Sequence, residues 1–255
     1  MIKKNKLKDL IHSGKPAFGC WIKSSSLKIV EITGLLGLDY IIIDNEHGSN
    51  DELTLENLIR ISDLSGVTPI VRVGENRPIT ILKVLDAGAR GVIIPHIDTP
   101  EDAKKAVKAV KFAPEGDRGL ALAVRSHGYG LLDIPDYHEL ENNETMVILM
   151  IESALAIKNI KEIATTKGVD VLHIGPSDLA QSMGLTGQSN HPLVQEAIEN
   201  VLKAANEAKI AVGISAKDAI VAQKRVQQGF LFIPIGKNDL NLFGSACRKI
   251  LNELK

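Results

Sequence analysis

The chain reads as an α/β protein closed into a (β/α)8 barrel of the TIM type. Three observations predict this. Short apolar runs alternate with amphipathic stretches from end to end. Eight such units share 255 residues, about 32 residues each, close to the roughly 250 that an eight-fold barrel takes. The strand candidates are apolar inside and carry polar residues just past their ends. That is the pattern of a parallel sheet covered on both faces, with its chemistry at the carboxyl end.

In chain order, a leading helix is expected over 3–14 and a first strand over 18–22. Helix 26–36 stops at Gly37, and strand 39–44 follows, with Ile41-Ile42-Ile43 running into Asp44. Helix 53–65 precedes strand 68–73, and helix 79–87 precedes strand 91–95. Helix 100–110 starts after Thr99, a residue type suited to an N-cap. A long irregular stretch, 112–131, ends in a short helix over 135–142. Strand 146–151 leads into helix 155–166, and strand 169–174 into a helix over 176–183. Helix 192–208, strand 211–214, helix 217–228, strand 231–235 and helix 240–254 close the chain. An open doubly wound sheet would place a glycine-rich turn after its first strand, and Gly19-Cys20-Trp21 is not one. No linker composition interrupts the pattern, so one domain over 1–255 is expected.

Composition removes several function classes. The formal net charge is -1, from 30 basic and 31 acidic side chains that are interspersed. A nucleic-acid or anionic-membrane surface needs a clustered basic patch. Aromatic residues are only 4% of the chain, too few for single-strand stacking platforms. Cys20 and Cys247 form neither a metal pair nor a disulfide framework, and free buried thiols are expected. The segment Met1-Ile2-Lys3-Lys4-Asn5-Lys6 is basic but lacks the apolar run of a signal peptide. No run of about 20 apolar residues marks a membrane span. A cytoplasmic protein is expected.

The polar residues at strand ends carry the functional reading. Asp44, Glu46 and His47 follow strand two. Arg72 lies inside strand three, where a cation must be paired or face a cavity. Asp86 ends the third helix, as a candidate acceptor holding the tautomer of His47. His96 follows strand four. Glu152 and Asp178 follow strands five and six, so two carboxylates point into one mouth. Bare, they repel, and one protonates; a hard divalent cation resolves this by taking both and filling its other positions with water and substrate oxygens. The alternative is that each carboxylate caps the helix that follows it. Spacing alone leaves the two readings open.

Taken together, Asp44-x-Glu46-His47, Pro69-Ile-Val-Arg72-Val, Glu115-Gly-x-Arg118-Gly119, Met150-Ile-Glu152-Ser153 and Ile174-Gly-Pro-Ser-Asp178-Leu179-Ala180 resemble the HpcH/HpaI class II pyruvate aldolases. The resemblance runs from about Gly19 to the last helix. It implies a barrel of the phosphoenolpyruvate/pyruvate type that uses a divalent metal, Mg²⁺, Mn²⁺ or Co²⁺, to bind pyruvate and its enolate. It implies His47 as the catalytic base, Asp86 as its partner and Arg72 as the group steadying the enolate oxygen. Glu152 and Asp178 then resemble metal ligands. Gly175, Pro176, Ser177 and Asp178, with their amides, resemble the seat of the pyruvate carboxylate. The family is commonly hexameric, so a homo-oligomer, trimer or hexamer, is implied, with the last helix packed on a neighbour. In two places the chain departs from the family's pattern. Met150 stands where Gln is frequent, and Asn45 where Gly is frequent. In the long loop the spacing of Arg125 matches the sugar-acid members most, though the loop is more apolar than theirs.

The chemistry follows from the residue types. Cleavage of a 4-hydroxy-2-oxo acid to pyruvate and an aldehyde needs a base for the 4-hydroxyl proton and positive charge at the developing enolate. A histidine titrating near 6.5 suits the first task. Lys83 and Lys104 fall on helices, and no lysine is read at a strand end before Lys237, so a Schiff base is not required. Arg125 and His127, in the long loop, are candidates to read the acceptor aldehyde, and Arg118 is expected to tie the loop down. His173 is expected as a satisfied barrel residue, and His12, His138 and His191 as surface or capping groups. Asp44 reads as structural. Two other functions compete: a citrate-synthase-like condensation of an acyl thioester with a 2-oxo acid, motivated by Met150 and the apolar loop, and a non-catalytic barrel that only binds metal and 2-oxo acid.

Overall fold

The computed structural model describes residues 4–254, so residues 1–3 of the leading segment lie outside the described residues. Eight strands form one closed parallel barrel in sequence order. They are β1 (Ala17–Ile22), β2 (Tyr40–Asp44), β3 (Thr68–Arg72), β4 (Gly91–Ile94), β5 (Met146–Ile151), β6 (Val171–Ile174), β7 (Ala211–Ile214) and β8 (Phe232–Pro234). Closure is made by β8 on β1, with Ala17 opposite Phe232 and Gly19 opposite Pro234.

The helices are α1 (Lys6–His12), α2 (Leu27–Leu35), α3 (Glu52–Ser65), α4 (Pro78–Asp86), α5 (Pro100–Val110), α6 (Tyr137–Glu144), α7 (Ala154–Lys158), α8 (Ile160–Ala164), α9 (Pro176–Ser182), α10 (Pro192–Ala208), α11 (Ala219–Gln227) and α12 (Asp239–Glu253). Thr99 caps α5 in a reciprocal capping box with Asp102, as its position predicts. The single helix expected over 155–166 is two short ones. Asn159 breaks it, and its side-chain amide donates to the Asp98 carbonyl at 2.8 Å.

Two apolar layers result. The outer layer packs strand residues such as Ile41, Ile43, Val71 and Leu149 under the helices. The inner layer fills the barrel with Trp21, Tyr40, Ile42, Ile70, Ile93, Met146, Ile148, Met150 and Phe232. Tyr40 stacks on Phe232 with centroids 4.2 Å apart. A Cβ on Gly19 would lie 2.4 Å from Tyr40, so only glycine fits there. The amino-terminal end is stoppered by α1. Leu7 and Ile11 are buried against the inner layer. Asn5 Nδ2 donates to the carbonyls of Arg90 (2.9 Å) and Glu144 (2.8 Å), and Lys8 pairs with Asp170 at 3.1 Å.

The last helix behaves differently. Every residue of α12 after Asp239 is exposed, including Leu240, Leu242, Phe243, Ile250 and Leu251; Phe243 is 73% accessible. Cys247, expected as a buried thiol, is exposed there, whereas Cys20 is buried. Among the described residues no helix is long and apolar enough to cross a membrane.

Candidate active site

The polar residues past the strand ends gather at the carboxyl mouth of the barrel. Asp44, the last residue of β2, is fully buried and accepts five contacts. Arg72 gives Nε to Oδ1 (3.0 Å) and Nη2 to Oδ2 (2.7 Å). The amides of Glu46 (3.2 Å) and His47 (3.1 Å) donate to Oδ1, and Lys23 Nζ lies 3.4 Å from Oδ2. Burial pushes the Asp44 carboxyl up, but the hydrogen bonds and charge of Arg72, the His47 amide and the Lys23 charge outweigh it, and the carboxyl sits below the usual range. Asp44 is thus structural, as read: it forms the turn that presents Glu46 and His47.

Arg72 points inward from β3. Its Nη1 lies 2.8 Å from Glu46 Oε2 and 3.8 Å from Met150 Sδ. Its guanidinium lies over the Trp21 ring, 4.7 Å from the centroid. A bidentate fork on one carboxylate and an ion pair to a second leave it a fixed positive charge at the mouth. His47 is 58% exposed, with Nε2 at 3.9 Å from Glu46 Oε2. His96 adopts a left-handed backbone (φ 56°), which lets its amide donate to Glu152 Oε1 at 2.9 Å. Its ring stands between Glu152 (3.5 Å) and Glu46 (3.6 Å).

Glu152 follows β5 and is buried. Burial raises its carboxyl; the His96 amide and ring charge oppose this, while Glu46 and Asp178 nearby push it further up. The capping alternative for Glu152 and Asp178 is not what the structure holds. Ser153 caps α7 by accepting from the Ala156 amide, and α9 starts at Gly175 with no side-chain cap bond. Gly175 packs closely here: a Cβ would lie 3.1 Å from Met150 Cε and 3.2 Å from Glu152 Oε2, so a larger residue would press on both side chains. Ser177 and Asp178 are exposed in the first turn of α9.

A hard divalent cation fits this donor set. The available atoms are carboxylate oxygens, and the crowding of negative charge around a buried Glu152 is what a cation relieves. Among the described residues no three His, Cys, Asp or Glu side chains form a metal cage. Two protein carboxylates with other positions left to water and substrate match the habit of Mg²⁺ and Mn²⁺.

Several expected residues are elsewhere. Asp86 ends α4, and an antiparallel helix end lies at the amino-terminal face, away from His47. There its Oδ1 accepts from Arg118 Nη2 at 3.0 Å, so within one chain Asp86 does not orient His47. Arg125 is also at that face. It ion-pairs with Asp63, and its Nη1 donates to the Ala87 carbonyl at 3.0 Å. His127 is buried against Tyr137. Neither residue reads an acceptor at this chain's own mouth. Arg118 does tie the loop down, between Asp86 and Glu141. His173 lies inside the barrel as expected, but its Nδ1, expected to be satisfied, has no hydrogen-bond partner among the described residues. Burial first and the Arg72 charge second push its imidazole down to about 3.

One residue was missed at the sequence level. Lys23 directly follows β1 and stands at the mouth, contrary to the expectation of no strand-end lysine before Lys237. The signal was its place after Trp21-Ile22.

The HpcH/HpaI aldolase/citrate lyase family profile matches residues 17–244. A 5-keto-4-deoxy-D-glucarate aldolase of Salmonella arizonae is 35% identical over 251 residues, covering 98% of this chain and 97% of that protein. A crystal structure of an HpcH/HpaI aldolase/citrate lyase family protein from Burkholderia cenocepacia J2315 superimposes with a TM-score of 0.93 at 35% identity, covering 98% of this chain and 99% of the other. A citrate synthase, SbnG, superimposes with a TM-score of 0.87 at 28% identity, over 97% of this chain and 96% of its own. The matched residues, the closed eight-strand barrel and its polar mouth agree: the chain belongs to the HpcH/HpaI aldolase/citrate lyase family and is an aldolase, a carbon–carbon lyase.

Proposed function

We propose that this site cleaves, reversibly, a 4-hydroxy-2-oxo acid to pyruvate and an aldehyde, with a divalent cation (Mg²⁺, Mn²⁺ or Co²⁺) held by Glu152 and Asp178. The observation that carries this is the placement of the buried Glu152, crowded by Glu46 and Asp178, in the same mouth as His47 and the fixed guanidinium of Arg72. A 5-keto-4-deoxy-D-glucarate aldolase at 35% identity supports it.

When bound, the cation supplies Lewis acidity at the substrate's 2-oxo group. The remaining work belongs to the chain. The Ser177 and Asp178 amides, early in α9 after Gly175 and Pro176, receive the substrate's 1-carboxylate. His47 takes the 4-hydroxyl proton. The C3–C4 bond then breaks, its electron pair moves to C3 and on to the C2 oxygen, and the aldehyde departs. Arg72 stabilises the charge on that oxygen as it develops, preorganised by Asp44 and Glu46. Protonation of C3 completes pyruvate. In the synthetic direction the same groups act in reverse.

Cleavage is tested by following pyruvate release from a set of 4-hydroxy-2-oxo acids. Activity is expected to vanish with a chelator, to return with Mg²⁺, Mn²⁺ or Co²⁺, and to fall about 100-fold or more in Glu152→Gln. Chelator-insensitive cleavage sinks the metal reading. Release of free CoA from an acyl thioester with a 2-oxo acid, without any cleavage, would establish the condensing chemistry instead. The exposed apolar residues of α12 support a homo-oligomer, trimer or hexamer, in which that helix packs on a neighbouring copy.

A further inference from the structure

Lys23 is the first residue after β1. Its backbone is fixed: its amide donates to Asp239 Oδ1 at 2.9 Å, and the Ser24 amide to Asp239 Oδ2 at 3.1 Å. The first turn of α12 therefore sets where the Lys23 side chain starts. That side chain is 31% exposed and, among the described residues, makes one ion pair, Nζ to Asp44 Oδ2 at 3.4 Å. This is longer than the roughly 2.7–2.9 Å of a charge-assisted hydrogen bond. Asp44 does not need it for saturation, since Arg72 and two amides already occupy both oxygens. An ammonium carries three donors, so Lys23 keeps donors unspent at the mouth.

The closed strand order gives Lys23 a direction. β1 is four strands from β5 either way around the barrel, so Lys23 stands across the mouth from Glu152. A substrate held by its 2-oxo acid end at β5 and β6, with its 4-hydroxyl at His47 after β2, sends its far end toward β1. The cation that sequence alone offered for that end, Arg125, is committed to Asp63 and Ala87 at the other face.

We infer that Lys23 is a specificity-determining residue, which takes a carboxylate at the far end of the substrate. The inference rests on the aldolase reading above.

The test compares cleavage of 4-hydroxy-2-oxoheptanedioate with that of its neutral-tailed counterpart, 4-hydroxy-2-oxoheptanoate, in wild type, Lys23→Met and Lys23→Arg. Wild type is expected to prefer the diacid. Lys23→Met is expected to raise KM for the diacid about tenfold or more, with kcat nearly held, and to leave the neutral substrate within about twofold. Lys23→Arg should recover most of the loss. Equal losses on both substrates would mean that Lys23 only supports Asp44, and would overturn the inference, as would no preference in wild type. If wild type cleaves neither these compounds nor any other 4-hydroxy-2-oxo acid of the set above, the proposed cleavage fails on its own. Calorimetry with succinate semialdehyde then decides Lys23: binding that weakens about tenfold in Lys23→Met upholds the assignment, and equal or absent binding overturns it.

Discussion

A carboxylate with no solvent exposure must have its lone pairs matched by donors, and Asp44 meets this with a guanidinium fork and two amides. Arg72 is therefore held by its partner before any substrate arrives. A lysine in its place offers a point charge and cannot serve Asp44 and Glu46 together. Arg72→Lys is expected to lower kcat for pyruvate release by about 10²–10³-fold and to lower the melting temperature, because a buried carboxylate is left partly unmatched. A kcat within a few-fold of wild type would remove Arg72 from the reaction. At this scale much was legible. An arginine inside an apolar strand and a carboxylate at the end of the preceding one demand each other. Within one chain Asp86 and Arg125 lie at the other face from His47, a placement that residue order alone does not reveal. Lys23 was overlooked because it follows a strand whose end carries no other charge.

Among the elements, α12 is the one whose sequence and surroundings disagree. Its periodic apolar residues, Leu240, Phe243, Ile250 and Leu251 among them, predict a buried face, yet the structure leaves them exposed. Replacing two of them, Phe243→Glu with Leu251→Glu, is expected to shift the mass measured by light scattering from an oligomer to a smaller species. An unchanged mass, or a wild-type monomer, would count against α12 as a contact between copies. The barrel strands were readable because each is a short, mostly apolar run bounded by helix-forming or turn-forming segments. The split between α7 and α8 was not, because it depends on Asn159 reaching the Asp98 carbonyl, a contact about 60 residues back along the chain.

For the whole molecule, acid stability should carry the mark of one residue. His173 is neutral in the folded barrel down to about pH 3, because burial and then Arg72 oppose its charge, whereas unfolded it titrates near 6.5. Above that pH neither state binds the proton. As pH falls below it, only the unfolded chain gains one, so stability declines by up to about 1.4 kcal/mol per pH unit from this group. Denaturant melts of wild type and His173→Gln between pH 7 and pH 4 should show a shallower acid decline in the variant; parallel curves would refute the assignment. The closed order of strands was predictable from alternation alone, but the sharing of charge around it was not. Glu152 and Asp178 follow β5 and β6, while Arg72 ends β3 and Lys23 follows β1, the two cations gathered about Asp44 and Glu46 of the β2 end. The mouth is in effect a polarised socket, keyed by strand number and not by the shape of a wall. A ligand with one charged end can pivot about that end, whereas one charged at both ends is held at two points and cannot. Stereochemical fidelity can then begin at the moment of capture, ahead of any bond being broken.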